Sequence, residues 1–268
     1  MLTIDWKERL NKDTADYLST KLPKKDYDFE IIFIAYPERV NGKIPNEVVV
    51  HVANAIVQAL GKKHEEYISF FKALCTKKGD YGKLAYTQMM SKLVAKKPAV
   101  YIPMLETSMR ESSYHEINQI IEKVMLPHLR KHPEKYISYI YTWTKDKYEP
   151  LRKQAINTLV KLIKRLPELV PGVLAHFQHM WYYPLGEDLP DHIILLKAVA
   201  KLEPGLYLKT VLGFEQNRDP QIVELVCSSI SDYYPELEQM IENWTKSGNA
   251  RVKKHALAAQ KILLKKKA

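Results

Sequence analysis

Few residues in this sequence have the types and spacing that chemistry demands. His176-x-x-His179 and His128-x3-His132 have the helical spacing that sets two imidazoles on one face, which is half of a metal site. No carboxylate or thiol pattern converges on either pair. They therefore read as packed or surface histidines, and neither metal nor cofactor is expected. Cys75 and Cys227 form no CxxC pair, and no base partner marks either as a nucleophile. They read as buried thiols in a reducing compartment. The chain has no GxGxxG or GxxxxGK[ST] loop, no GxSxG elbow and no HExxH. What remains is a series of cations with aromatic residues between them. Lys83, Arg152, Lys153, Lys161, Lys164, Arg165, Lys197, Lys201, Lys253 and Lys254 fall on segments that read as helix, at positions outside the apolar stripe. Such a row matches a phosphate backbone. Tyr114, Tyr148 and the group Trp181–Tyr183 offer π faces beside it. The plainer reading is solvated lysines, with tyrosines bridging helix ends.

Helices must carry these cations, and the sequence sets them out in pairs. Proline recurs at Pro98, Pro133, Pro167, Pro204 and Pro235, with spacings of 35, 34, 37 and 31. Apolar residues follow each one, as at the first turn of a helix, where the missing N–H costs nothing. A second recurrence has a fixed offset of 101. Trp143-Thr144-Lys145 leads to Leu151-Arg152-Lys153-Gln154-Ala155, and Trp244-Thr245-Lys246 leads to Val252-Lys253-Lys254-His255-Ala256. Each reads as a helix end, a polar turn and a new helix, with Ala155 and Ala256 small where two helices approach. Leu151, Ala155, Thr158, Leu159 and Leu162 form one apolar stripe, and Ile117, Ile120, Ile121 and Val124 form another. No long alternating pattern suggests a strand, and Val48 to Val50 reads as a helix start. The units are placed at 62–97, 98–131, 133–165, 167–202, 204–234 and 235–264, with second helices beginning near Tyr81, Tyr114, Pro150, Asp191, Pro220 and Arg251. The expected fold is all-α, a HEAT-like helical-repeat solenoid whose second helices line a concave basic face. Residues 1–61 are less periodic and are expected to cap an array spanning 62–268, in one continuous domain. Leu22–Asp26 and Asn41–Asn46 read as loops. Trp181–Pro190 reads as the one long loop inside the array.

Bulk composition agrees. The 268 residues are 46% hydrophobic and contain only 9 Gly, which favours a helical core over a barrel or sandwich. Glu30 to Tyr36, the longest apolar candidate, is too short to span a membrane and reads as core. The charged N-terminus, Met1 to Lys12, has no apolar signal region, so a cytoplasmic monomer without membrane contact is expected. The net charge of +10 is uneven. Lys246 to Ala268 holds eight basic and no acidic residues, against eight basic and nine acidic in the first fifty. The excess predicts an acidic partner: nucleic acid, an anionic membrane surface or an acidic protein.

His132-Pro133-Glu134-Lys135-Tyr136, then Trp143-Thr144-Lys145-Asp146, then Leu151-Arg152-Lys153-Gln154-Ala155-Ile156 resembles the DNA alkylation repair HEAT-like family, the AlkC- and AlkD-type glycosylases. There a Pro-Glu helix ends at a Trp, a polar turn with Asp or Asn follows, and the next helix opens with a branched apolar residue, two basic residues and Ala. The match is best over 109–160 and diffuse over 75–265. The resemblance implies a concave groove that holds double-stranded DNA, with Tyr114, Arg152, Lys153, Lys161, Lys164, Lys197, Lys201, Lys253 and Lys254 against it. It also implies a lesion site of two Trp, one Asp and one Arg. The Arg falls at Arg152 or Lys153, the first aromatic near Tyr114, the second Trp near Lys201 and the Asp near Asn118. Asn118 is neutral. Glu111, Glu116 or Glu122 takes its place if the register shifts by part of a turn. DNA binding with weak excision is the expectation. The alternative is a non-enzymatic HEAT or armadillo scaffold for an acidic protein.

Overall fold

Prolines open helices where their spacing places them. In a computed structural model that describes residues 5–19, 29–33, 36 and 38–267, Pro98, Pro133, Pro204 and Pro235 each occupy the first helical position. Pro167 opens a 3-10 turn that leads into the next helix. The described residues are helical with no strand, apart from a single bridge between Val40 and Lys43. The segment Leu22–Asp26 lies outside the described residues, as do 34 and 35 of the apolar stretch 30–36. Ile32 and Phe33 of that stretch are buried, as expected.

Contacts divide the chain into two compact units, Met1–His128 and Leu129–Ala268. In the first unit α1 (Trp6–Ser19) packs on α2 (Asn46–Leu60), and α2 packs on α4 (Gly79–Lys96). On α4 also lie α3 (Ile68–Lys77) and α5 (Pro98–Arg110). Then α6 (Tyr114–Ile120) runs through a π turn, Ile121–Met125, into α7 (Leu126–Lys131), and α4 packs on that π turn. The widened turn has a cause in the sequence. Pro127 has no N–H to give, and its ring would crowd the carbonyl four residues back. The Leu126 N–H reaches Ile121 O instead.

The second unit contains α8 (Pro133–Trp143), α9 (Glu149–Arg165), α10 (Val170–Gln178), α11 (Leu189–Leu202), α12 (Pro204–Leu212), α13 (Pro220–Ser229), α14 (Pro235–Thr245) and α15 (Ala250–Lys267). The second helices pack in succession, α9 on α11, α11 on α13 and α13 on α15. They start within two residues of the positions read from sequence. Turn residues fix those starts: Asp219 accepts from Gln221 N at 2.8 Å, and Asn249 Oδ1 accepts from Arg251 N at 2.9 Å.

The apolar stripes are the core. Leu151, Ala155, Thr158, Leu159 and Leu162 on α9 are buried, and so are Ile117, Ile120, Ile121 and Val124. Ala155 and Ala256 are fully buried where neighbouring helices close on them. Polar contacts also join several of these helices to one another within each unit. Gln88 donates to Asn54 across 34 residues, His128 meets Ser91 O across 37, and Asn157 donates to Asp191 across 34. The aromatic loop 181–190 is two 3-10 turns, Met180–Tyr182 and Gly186–Asp188. No helix among the described residues is long and apolar enough to cross a membrane.

Trp143 and Trp244 close the ends of α8 and α14, both fully buried, with Trp244 Nε1 donating to Glu215 O at 3.1 Å. Trp143→Ala empties the largest kind of side-chain volume from a packed junction. Urea unfolding is expected to show a loss of about 3–5 kcal/mol. A loss under about 1 kcal/mol would mean that the indole does not hold the junction.

Candidate functional site

The cations singled out in the sequence fall into two groups, sorted by where the neighbouring acids lie. On the second unit, Lys164 in the last turn of α9, Lys197 and Lys201 on α11, and Lys253 and Lys254 on α15 are exposed. Lys197 and Lys201 are four residues apart, so they share one face of α11. Arg152 and Lys153 at the start of α9 are engaged. Arg152 is ion-paired with Asp188 and donates to Asp146 O at 2.8 Å, and Lys153 is paired with Glu149. The Glu149 carboxylate holds the Lys153 ammonium above the usual lysine range. Lys161 is half-buried in contact with its surroundings. Asp191, partly buried and facing Lys153 and Asn157, is pushed above the usual carboxylate range by desolvation.

Position along a helix did not reveal the Arg152–Asp188 pair. The period did contain it, because the two residues lie 36 apart, about one helix pair. Asp188 itself belongs to the loop whose aromatic content stood out. In that loop Trp181 is sealed, whereas Tyr182 and Tyr183 are 57% and 70% exposed. Tyr148 is half-buried at the start of α9, so it offers less of a π face than the sequence suggested.

The carboxylate candidates lie in the first unit, in one stretch around the start of α6. Glu111 is exposed just beyond the end of α5, Tyr114 is 49% exposed as the first residue of α6, and Asn118 is half-buried one turn on. None of these three lines the neighbouring cleft, but Glu116 does. Its carboxylate accepts from Ser113 N and Ser113 Oγ, each at 2.8 Å, and is paired with Lys83 of α4. This is a capping box with a lysine added. The Lys83 ammonium, and then the Ser113 N–H and hydroxyl, hold the Glu116 carboxyl down to about 2. Glu122 is exposed in the π turn.

The cleft has a volume of about 690 Å³ and lies wholly within the first unit. The turn Val40–Lys43 forms one wall. Asn41 and Gly42 both take positive φ there, which this tight turn requires. The turn is pinned by Ile44 N–H donating to Tyr81 Oη at 2.7 Å. Lys83 reaches the cleft because α3 and α4 approach closely at Gly82, where a Cβ would lie 2.3 Å from Leu74 O.

The remaining chemistry-bearing residues are packed. His176 stacks on Tyr141 with centroids 4.2 Å apart, and its Nε2 meets the Thr144 hydroxyl at 2.9 Å. His179 sits edge-on to it at 6.3 Å. His128 donates to Ser91 O, and His132 lies 3.7 Å from Glu134. Among the described residues no three His, Cys, Asp or Glu side chains are placed to hold a metal ion. Cys75 and Cys227 are buried free thiols, and burial pushes Cys227 up to about 12, the wrong direction for a nucleophile.

Compared with protein-family models, with characterised proteins and with solved structures, the chain matches none.

His192 is buried beside the Arg152–Asp188 pair. The Trp181 Nε1–H donates to its Nδ1 at 3.0 Å, which leaves the ring neutral with its proton on Nε2. Burial lowers its pKa to about 4, and Arg152 pushes the same way while Asp188 opposes. His176 is likewise lowered to about 4, first by burial. Below pH 6.5 the unfolded chain takes up protons that these folded imidazoles refuse. Their contribution to stability is therefore complete above pH 6.5 and is lost as pH falls towards 4. For His192 the loss is about 2–3 kcal/mol. His192→Asn keeps an acceptor for the indole N–H and removes the titration, so the pH slope of unfolding should shrink. An unchanged slope would show that this imidazole is not the group responsible.

Proposed function

We propose that this chain is a HEAT-like helical-repeat protein that holds duplex DNA along its second helices, in the manner of the alkylpurine glycosylase family, with little excision of its own. The observation that carries the reading is the set of exposed lysines on three of the four second helices of the second unit, with α13 carrying none. Lys164, Lys197, Lys201, Lys253 and Lys254 project from α9, α11 and α15, and among the described residues none is drawn into an ion pair. Cations left unneutralised in a row can release counterions from a phosphate backbone. Arg152 and Lys153 are committed to Asp188 and Glu149, so their part is structural rather than phosphate-binding.

Several features support the repeat reading. Proline opens the first helices about 35 residues apart, second helices pack in sequence, and polar contacts join residues one period apart. First helices of the second unit contact one another less than second helices do, which is the pattern of an array that curves towards its second helices. In this reading residues 1–61 cap an array over 62–268. The free, buried thiols fit a reducing, cytoplasmic setting.

Weak excision follows from charge. Breaking an N-glycosidic bond builds positive charge on the sugar, and a fixed carboxylate beside it lowers the barrier. Asn118 offers a dipole only. Glu116 is a carboxylate, but its charge is already matched by Lys83 and two donors on Ser113. Glu111 stands exposed on a turn, in water that screens it.

An interaction scaffold for an acidic protein is the second reading. It is favoured by exposed apolar surface at Tyr182, Tyr183 and Ile194.

Two measurements separate these readings. Affinity for duplex DNA should fall roughly tenfold or more between 50 and 200 mM salt, with a shallower slope in Lys197→Ala/Lys201→Ala. No binding at low salt, or a flat salt dependence, would favour the scaffold. Single-turnover assays on duplex carrying 7-methylguanine should show weak or no excision, about 10²–10³ below a site with a working carboxylate. Efficient excision abolished by Glu111→Gln or Glu116→Gln would identify that acid as the working group instead.

A further inference from the structure

We propose that the cleft of the first unit is a binding site for a small phosphate monoester, its phosphate held by Lys43, Lys83 and Lys123 and its body against Tyr81 and Ile120. This site is separate from the lysines assigned to DNA and does not depend on that reading.

Size comes first. At about 690 Å³ the cleft falls in the range of small-molecule sites. That volume is too small for a duplex and far too large for a bare anion, so the ligand needs a body. Leu84, the ring of Tyr81 and the edges of Ile44 and Ile120 give apolar wall for one.

The hydrogen-bonding inventory then selects the ligand's chemistry. Several acceptors in the lining are already satisfied. Both Glu116 oxygens are taken, one by Lys83 and the other by Ser113 N and Oγ. The Thr87 and Ser112 hydroxyls donate to carbonyls of their own helices, Lys83 O and Ser108 O. Donors remain. Lys83 gives one N–H to Glu116 and has two more. Lys43 and Lys123 are exposed at the lining. Gln119 Nε2 donates to His115 Nε2 at 2.7 Å, which puts the imidazole proton on Nδ1, a donor. Tyr81 Oη accepts from Ile44 N–H and keeps its own O–H to give. Donors of this kind, three of them ammonium groups, match a group with three or more acceptor oxygens and negative charge. Three ammonium groups outnumber the two carboxylates of the lining, Asp80 and Glu116, and Glu116 is neutralised where it stands.

The Lys83–Glu116 pair would survive binding. Because Ser113 holds Glu116 from the other side, Lys83 can bridge the carboxylate and a phosphate oxygen without leaving a bare charge behind. Glu116 thereby becomes a positioning residue for the lysine and not a competitor of the ligand.

Calorimetric titration of the full chain tests this, with adenosine 5′-monophosphate as the probe and inorganic phosphate and adenosine as controls. The expected result is saturable binding of the monophosphate, weaker binding of phosphate and little of adenosine. Lys43→Ala and Lys123→Ala change exposed side chains and leave the fold intact by circular dichroism. Each should weaken the monophosphate about tenfold, as loss of one charge-assisted contact does. Lys197→Ala/Lys201→Ala, on the other unit, should leave it unchanged while lowering affinity for duplex DNA. The proposal is overturned if no saturable binding occurs, if adenosine binds as well as its monophosphate, or if the Lys197/Lys201 change weakens the monophosphate as much as the cleft changes do. That last outcome would mean diffuse attraction to a basic protein.

Discussion

A helix with one apolar stripe cannot bury it alone, and this constraint governs the rest of the molecule. On α9 the stripe from Leu151 to Leu162 disappears against neighbouring helices, and α11 lies on α9 as α13 lies on α11. Each apolar side chain so hidden contributes about 1.5–3 kcal/mol, against a backbone and side-chain entropy cost of similar size. The surplus exists only while the neighbour is present. Contacts are therefore made with the next pair along, and the polar contacts keep the same spacing. Arg152 to Asp188 and Asn157 to Asp191 are hydrogen bonds between neighbouring helix pairs in the same sense that Leu159 is packing between them.

What that constraint leaves over is the outward side of each second helix, and the fate of a cation there depends on whether a neighbouring acid reaches it. At the start of α9, the loop and first turn that lead into α11 bring acids close. Asp188 meets Arg152, and Asp191 stands by Lys153 and Asn157. Towards the helix ends no acid arrives, and Lys164, Lys197 and Lys201 stay exposed. The difference has energetic content. Arg152 and Asp188 are shielded enough that removing one partner would strand the other, and Asp188 Oδ1 already has no hydrogen-bond partner. The exposed lysines cost the fold almost nothing and stay available to an anion within about 8–10 Å at ordinary salt.

Local order was legible in the sequence because it is written in local chemistry. Proline marks helix starts through its missing N–H, and the Trp-Thr-Lys recurrence marks two helix ends whose indoles are fully buried. The stripes of α6 and α9 were visible as a period. The π turn was not anticipated, although Pro127 stands in the sequence as its cause. Pairing was the larger gap. A one-dimensional pattern says that Arg152 lies off the apolar stripe, but it does not say that a carboxylate 36 residues later folds over it. The cleft was hidden for the same reason. Lys43, Lys83 and Lys123 come from a tight turn, a second helix and a π turn, each about 40 residues from the next, and nothing local marks them as one group. Glu116 and Lys83 were each singled out in the sequence, but on separate grounds, and they lie 33 residues apart, a separation close to the spacing of the prolines.

The same electrostatics separates holding a charged ligand from acting on one. A carboxylate that must stabilise a developing cation has to be fixed, close and not already matched by a positive charge. Glu116 is fixed, since Ser113 clamps one oxygen with a backbone N–H and a hydroxyl. It is also matched, since Lys83 takes the other oxygen, and this pairing holds the carboxyl down to about 2. A group held so far below neutrality is a poor proton acceptor, and a group paired so closely has little field left for a substrate. What Glu116 does well in that position is hold a lysine still. An ammonium anchored on a clamped carboxylate presents its remaining N–H groups with little entropy left to lose, which favours binding an anion over breaking a bond.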